Sequence, residues 1–271
     1  MIHGREETFP PALLAEINAF HGGVSAESIE VSGVEALARS PYRLLVDRIA
    51  GKIAYFRSFL AQHALSSVPT CPALCWQSLD RVGLAQIALN AKVQALPTLL
   101  LPHHSHPPGV EADDLGNLAY PMPWEQYMQR IGLPGCLRSA QLGPGPVRCF
   151  SSLSELWQLY ARTGSTLQVV QPDLENAHHV MVLMVGSQPQ VLGYEPLTGR
   201  YRPTPVPENW VQQALEASRK LQSQGDFFMT GLEFAIHGSK LWLSDLHIYP
   251  DLEWWSLGEE MFTRIVQDCA Q

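Results

Sequence analysis

Two carboxylates and a histidine stand close together late in the chain: Glu233, Asp245 and His247. They lie in residues 230–253, where two stretches rich in Leu, Ile, Phe and Trp flank His237-Gly238-Ser239. That is the pattern of two antiparallel strands joined at a glycine turn. Side chains alternate faces along a strand, so Asp245 and His247 project together, away from Trp242, Leu246 and Ile248. Glu233 joins them only if the two numbers of each cross-strand pair add to an even number; a register one residue off separates them. Such a trio is a candidate metal site. From spacing alone, a sheet end with solvated polar groups is the alternative.

The elements that must position these groups belong to an ordinary globular chain. Its 271 residues, 46% hydrophobic and 16% charged, allow one large domain or two to three packed subdomains. A net charge of -8 with no basic stripe argues against a nucleic-acid binder. Residues 1–7 lack the basic start and apolar run of a leader, and no stretch reaches eighteen uninterrupted apolar residues. The expectation is a soluble cytoplasmic protein with no membrane partner. Five cysteines without a CxxC pair suggest buried free thiols rather than a zinc ribbon or a disulfide framework.

In order, Pro10-Pro11 opens a helix that Gly22-Gly23 stops. Strands are predicted over 28–31, 42–47 and 68–70, with a helix over 54–65. A helix over 79–89 and a strand between Pro97 and Pro102 follow. Residues 103–122, with three prolines, read as a loop. Its His103, His104 and His106 are weak metal candidates, with a solvated loop as the alternative. Next come a helix over 124–131, strands over 136–139 and 147–150 around Gly143-Pro144-Gly145-Pro146, and a helix begun by a Ser152/Glu155 capping box. Strands over 166–171, 180–185 and 190–194, a Thr198-Gly199 turn and helices over 208–221 and 257–269 complete the chain around the hairpin. Trp254-Trp255 suit either an interface or a helix start packed on the core, and no oligomeric state is fixed.

This succession resembles the ATP-grasp superfamily, and within it the ribosomal-protein glutamate ligase and peptide-ligase-like branch. The resemblance spans nearly the whole chain. Asp80-Arg81 with Leu96-Pro97-Thr98 is similar to the family's Asp-Lys helix and the strand after it. Cys136-Leu137-Arg138-Ser139 is similar to the strand of the second nucleotide lysine, and residues 143–147 stand where the glycine-rich phosphate loop falls. Val169-Val170-Gln171-Pro172 resembles the hinge strand beside adenine; Gly231-Leu232-Glu233, Asp245-Leu246-His247 and Pro250 resemble the metal hairpin.

The resemblance implies an α+β, α/β ATP-grasp fold with a small N-terminal α/β domain over 1–75 and two α+β subdomains over 76–165 and 166–271. It implies ligation of a carboxylate to an amine, on a small molecule or a peptide, through an acylphosphate. The cofactors would be ATP and magnesium, with manganese possible. Arg81, Arg138, Gly143, Gly145, Gln171 and Leu174 would contact the nucleotide, Glu233, Asp245 and His247 the metal, and Arg202 the transferring phosphoryl. The chain also departs from the pattern. His247 replaces an asparagine, Pro144 and Pro146 remove two amide donors, Pro172 takes a hinge glutamate's place, and His179-Val180-Met181 stands where Asp-x-Arg is expected. Two readings follow: a nucleotide- or partner-binding relative with weak or lost ligation, and a working ligase of altered geometry. For Arg81 and Arg138 the alternative is an ordinary ion pair.

Overall fold

The computed structural model describes all residues except 21–22, 34–38, 74, 77–78, 119–120, 185–188, 203–204, 253–258 and 271. Helices are α1 (Phe9–Ala19), α2 (Ala54–Leu65), α3 (Arg81–Asn90), α4 (Trp124–Ile131), α5 (Leu153–Tyr160), α6 (Glu208–Gln222) and α7 (Glu259–Ala270). Strands are β1 (Leu45–Val46), β2 (Thr70–Cys71), β3 (Leu99–Leu101), β4 (Gly135–Ser139), β5 (Val147–Phe150) and β6 (Gln168–Pro172). They continue as β7 (His178–Met184), β8 (Gln190–Glu195), β9 (Arg200–Arg202), β10 (Thr230–His237) and β11 (Lys240–His247). The described chain divides into two compact units, one of residues 1–78, 179–233 and 246–271, the other of 79–178 and 234–245.

In the first unit α1 carries Pro10 and Pro11 in its first turn, where a missing N–H costs no helical bond. Phe9 meets Phe262 of α7 edge-on at 6.2 Å, and Leu13, Ile17, Ile265 and Val266 join Met181 and Leu183 of β7 in one core. β1 and β2 pair in parallel across α2, over a second core of Ile2, Leu45, Leu60 and Val68. Residues 28–31, predicted as a strand, form none: Ile29 donates to the Met1 carbonyl at 2.9 Å, without a ladder. Local β propensity needs a partner strand to become a strand. The predicted strand over 42–47 shortens to Leu45–Val46.

β7, β8 and β9 are antiparallel, with Met181 opposite Leu192 and Gly193 opposite Arg202. They belong to a sheet of order β11-β10-β7-β8-β9. The Thr198-Gly199 turn forms as predicted, with Gly199 at φ +68 and its N–H on the Glu195 carbonyl at 2.8 Å. β9 behind it is the strand that the sequence pattern does not announce. The hairpin's predicted His237-Gly238-Ser239 turn narrows to Gly238-Ser239, with Gly238 at φ +61, where a side chain is disfavoured.

The second unit holds an antiparallel sheet of order β3-β6-β4-β5. One face packs Leu101, Leu137, Phe150 and Val170 against Met128, Ile131, Leu156 and Tyr160 of α4 and α5. Gly135 is fixed by close approach, since a Cβ there would lie 2.7 Å from the Phe150 ring. Asp80 caps α3 by accepting the Gly83 N–H at 2.7 Å. The predicted capping box of α5 forms in part. Ser152 accepts the Glu155 N–H, whereas Glu155 reaches back to the N–H of Ser151 rather than of Ser152. The described residues of 103–122 form a loop that includes the 3-10 turn Ala112–Leu115. In it His103 bonds the Ser165 carbonyl at 2.8 Å and His104 packs edge-on against Tyr160, so these two histidines serve the loop's packing. Trp254-Trp255, Val185 and the predicted start of the last helix lie outside the described residues.

Candidate functional site

Two buried carboxylates define the chemistry, and each belongs to a different unit. In the second unit Asp245 has 1% of its side chain exposed. Its Oδ2 accepts from Arg81 Nη2 at 2.5 Å and Arg138 Nη2 at 3.0 Å, and its Oδ1 accepts the Gly143 N–H at 3.2 Å. The Asp80 cap sets the first turn of α3 beside the sheet, where the Arg81 N–H donates to the Ala140 carbonyl at 2.9 Å. From there the Arg81 guanidinium also donates to the carbonyls of Ser139 at 2.6 Å and Gly143 at 2.7 Å. Gly143 stands at φ +90, the conformation that lets one residue offer its carbonyl to Arg81 and its amide to Asp245.

A cavity of about 180 Å³ lies here, lined by Arg81, Arg138 and the loop with Gly143 and Gly145. Pockets for whole cofactors begin at roughly 300 Å³, so this one suits a single phosphate-sized group. Two guanidinium charges against one carboxylate leave a net positive charge for it. Of residues 143–146 only the two glycines have an amide N–H, and that of Gly143 is taken by Asp245.

In the first unit Glu233 is 4% exposed. His179 Nδ1 lies 2.9 Å from its Oε1 and His247 Nε2 lies 2.8 Å from its Oε2, each imidazole N–H donating to the carboxylate. Burial alone pushes the Glu233 carboxyl up, but these two bonds outweigh it and hold the group well below the usual carboxylate range. Glu233 and His247 thus share a sheet face, as the even register requires. His247 packs edge-on against Tyr194 at 5.3 Å. Gly231 fits because its missing side chain leaves room for Met181, Pro250 and His247; a Cβ would lie 2.7 Å from the Met181 sulfur.

The structure therefore gathers Arg81, Arg138, Gly143, Gly145 and Asp245 in one unit, and Glu233 with His247 in the other. Arg202 is half-exposed and pairs with Glu195 on the adjoining strand. Gln171 is buried and donates to Thr98 Oγ1 at 2.9 Å, and Leu174 is half-buried just after β6. Sequence reasoning missed His179 as a partner of Glu233. The only signal was its place in a segment that departs from the Asp-x-Arg pattern.

Solved structures resemble the whole chain. A RimK-domain ATP-grasp protein from Sphaerobacter thermophilus superposes with a TM-score of 0.71 at 15% identity, covering 98% of each chain. The fold is ATP-grasp. The D-cycloserine synthetase DcsG gives a TM-score of 0.68 at 14% identity over 99% of this chain and 97% of that one. D-alanine–D-alanine ligase from Helicobacter pylori gives 0.56 at 12% over 81% and 69%. No sequence profile of a protein family matches the chain. No curated protein matches it by sequence either. Within the described residues, no helix is long and apolar enough to cross a membrane.

ATP-grasp resemblance assigns magnesium to Glu233 and Asp245. The donor sets do not fit that ion as they stand. Both oxygens of Asp245 already accept protein N–H groups, two from guanidinium ions that stay charged in proteins. Both oxygens of Glu233 accept imidazole N–H groups. Magnesium demands near-octahedral oxygen ligation and would have to displace these donors.

Proposed function

We propose that this ATP-grasp protein acts by binding a nucleotide or another phosphate-bearing ligand, without efficient metal-dependent ligation. The observation that carries the reading is the saturation of Asp245 by Arg81, Arg138 and the Gly143 amide. On this reading the protein's own cations occupy the carboxylate that the resemblance would give to a divalent ion. The phosphate-sized cavity beside them keeps a net positive charge, and Arg138, with 15% of its side chain exposed, is its accessible guanidinium. A phosphoryl group there would gain charge-assisted bonds, which are stronger than neutral ones.

Removing a transition-state cation of the arginine-finger kind costs roughly three or more decades in rate. Arg202 does not replace it, being held on Glu195. Ligation would accordingly be slow or absent. The solved relatives named as D-alanine–D-alanine ligase and D-cycloserine synthetase make small amino acids and their amides the co-ligands to try.

The test is thermal unfolding with ATP or ADP, with and without magnesium or manganese. A ligand at a hundred times its Kd stabilises by about 2.7 kcal/mol. The expected result is a nucleotide-dependent rise in Tm that the metal leaves unchanged, with no ADP release in the presence of amino acids or dipeptides. A rise that appears only with magnesium, accompanied by ADP release, would establish the working ligase instead. No rise with any nucleotide would remove the nucleotide from the reading.

A further inference from the structure

β4 and β5 place Cys136 directly opposite Cys149. Asp173 follows immediately on β6, where its N–H donates to the Pro134 carbonyl at 3.0 Å and Pro172 lies opposite Gly135. One ligand atom from each of Cys136, Cys149 and Asp173 lies within 4.8 Å of the other two. Two strands of one sheet in the second unit, and the turn after a third, thus converge two sulfurs and a carboxylate. None of these residues belongs to the Asp245 cluster.

We propose that Cys136, Cys149 and Asp173 form a binding site for a thiophilic divalent cation, with zinc the expected ion. Zinc takes thiolate sulfur at about 2.3 Å and carboxylate oxygen at about 2.0–2.2 Å, so tetrahedral neighbours stand roughly 3.5–3.8 Å apart. Closing the trio from its present spacing needs a small side-chain adjustment. Soft sulfur ligands select zinc over magnesium or calcium. Cys136 is buried and Cys149 exposed, which gives the ion a path inward and leaves its fourth position to water. The charge of Glu175 reaches Cys149 and adds to the negative field at the entry.

Burial pushes the Cys136 thiol up, and its contacts with Cys149 and Asp173 push it further. Without a cation both thiols therefore keep their protons at neutral pH. Binding replaces the two S–H protons by two sulfur–metal bonds and releases both protons, so it tightens as pH rises. The held ion would tie β5, the edge strand of this sheet, to the turn after β6.

The whole chain, reduced and freed of metal by a chelator, is titrated with cobalt(II) as a spectroscopic stand-in for zinc. An equimolar thiolate-to-cobalt charge-transfer band that zinc bleaches is expected, together with a rise in Tm on adding zinc alone. Cys149→Ser, at an exposed position that leaves the fold intact by circular dichroism, should abolish the band, and Asp173→Asn should weaken binding. The proposal is overturned if no band forms, or if it persists in Cys149→Ser and so belongs to Cys71, Cys75 or Cys269. It is also overturned if Cys136 and Cys149 lose two thiol equivalents to a disulfide in air while zinc gives no protection.

Discussion

Asp245 and Glu233 are both buried, both saturated by nitrogen donors, and yet different in kind. Asp245 faces guanidinium groups, which hold their charge at any pH a folded protein meets. Glu233 faces two imidazoles, whose hydrogen bonds hold its carboxyl well below the usual carboxylate range. The first is a fixed cluster knitting α3, β4, the loop at Gly143 and β11. The second is an imidazole cluster knitting β7, β10 and β11. Sequence resemblance gives both acids one role, while their hydrogen-bond partners differ.

The largest effect is expected at the fixed cluster. Arg81→Ala leaves Asp245 and the carbonyls of Ser139 and Gly143 without a shared donor and should cost about 3–5 kcal/mol in urea unfolding. Arg81→Met combined with Asp245→Leu should cost less than the two single changes added, because no charge is then buried alone. Additive costs would mean that the pair is not coupled as the geometry requires.

Glu233→Gln should cost less, about 1–3 kcal/mol at neutral pH, since glutamine can accept from one imidazole but turns an N–H₂ toward the other. Its pH dependence follows from the lowered carboxyl pKa. The Glu233 pKa is lowered on folding from an ordinary value of 4.5, so the unfolded chain binds the proton first as pH falls. Its stabilisation is complete above that value and is lost progressively below it. The cost of Glu233→Gln should accordingly shrink as unfolding is measured from pH 6 down toward pH 3. A cost that stays constant over that range would mean that the two imidazoles do not hold the Glu233 carboxyl down.

Much of this arrangement was legible in the sequence, for reasons that also mark where reading stops. The hairpin carried its own signals: a glycine at the turn and a two-residue alternation that put Asp245 and His247 on one face. Helices α2 and α4 and strand β5 run as predicted because their apolar spacing and flanking turn residues are local. His179 became visible as a partner of Glu233 only once β7 and β10 lay side by side, a long-range pairing that no spacing encodes. Arg81 was expected on phosphate because of its neighbours in sequence, whereas its direction is set by the contact of α3 with β4. β9 was missed because Arg-Tyr-Arg on a sheet edge has no apolar pattern. The Cys136–Cys149 pair was hidden by a thirteen-residue separation that only the β4–β5 register closes.

The smallest effects come from a methyl group placed beside each cluster. Gly231→Ala forces a Cβ against the Met181 sulfur, Pro250 and His247 Cβ, and should cost about 1–3 kcal/mol by overpacking. Because the intruding carbon presses on His247, part of that cost should appear as a weaker acid dependence of stability. Gly143→Ala meets nothing within 4 Å, so its cost is that of holding a side chain at φ +90, about 1 kcal/mol. It should leave the pH profile of unfolding unchanged, because Arg81 and Arg138 still hold Asp245. Should Gly143→Ala cost as much as Arg81→Ala, its amide and carbonyl would be the main anchor of Asp245, and the fixed cluster would rest on the loop rather than on the guanidinium groups.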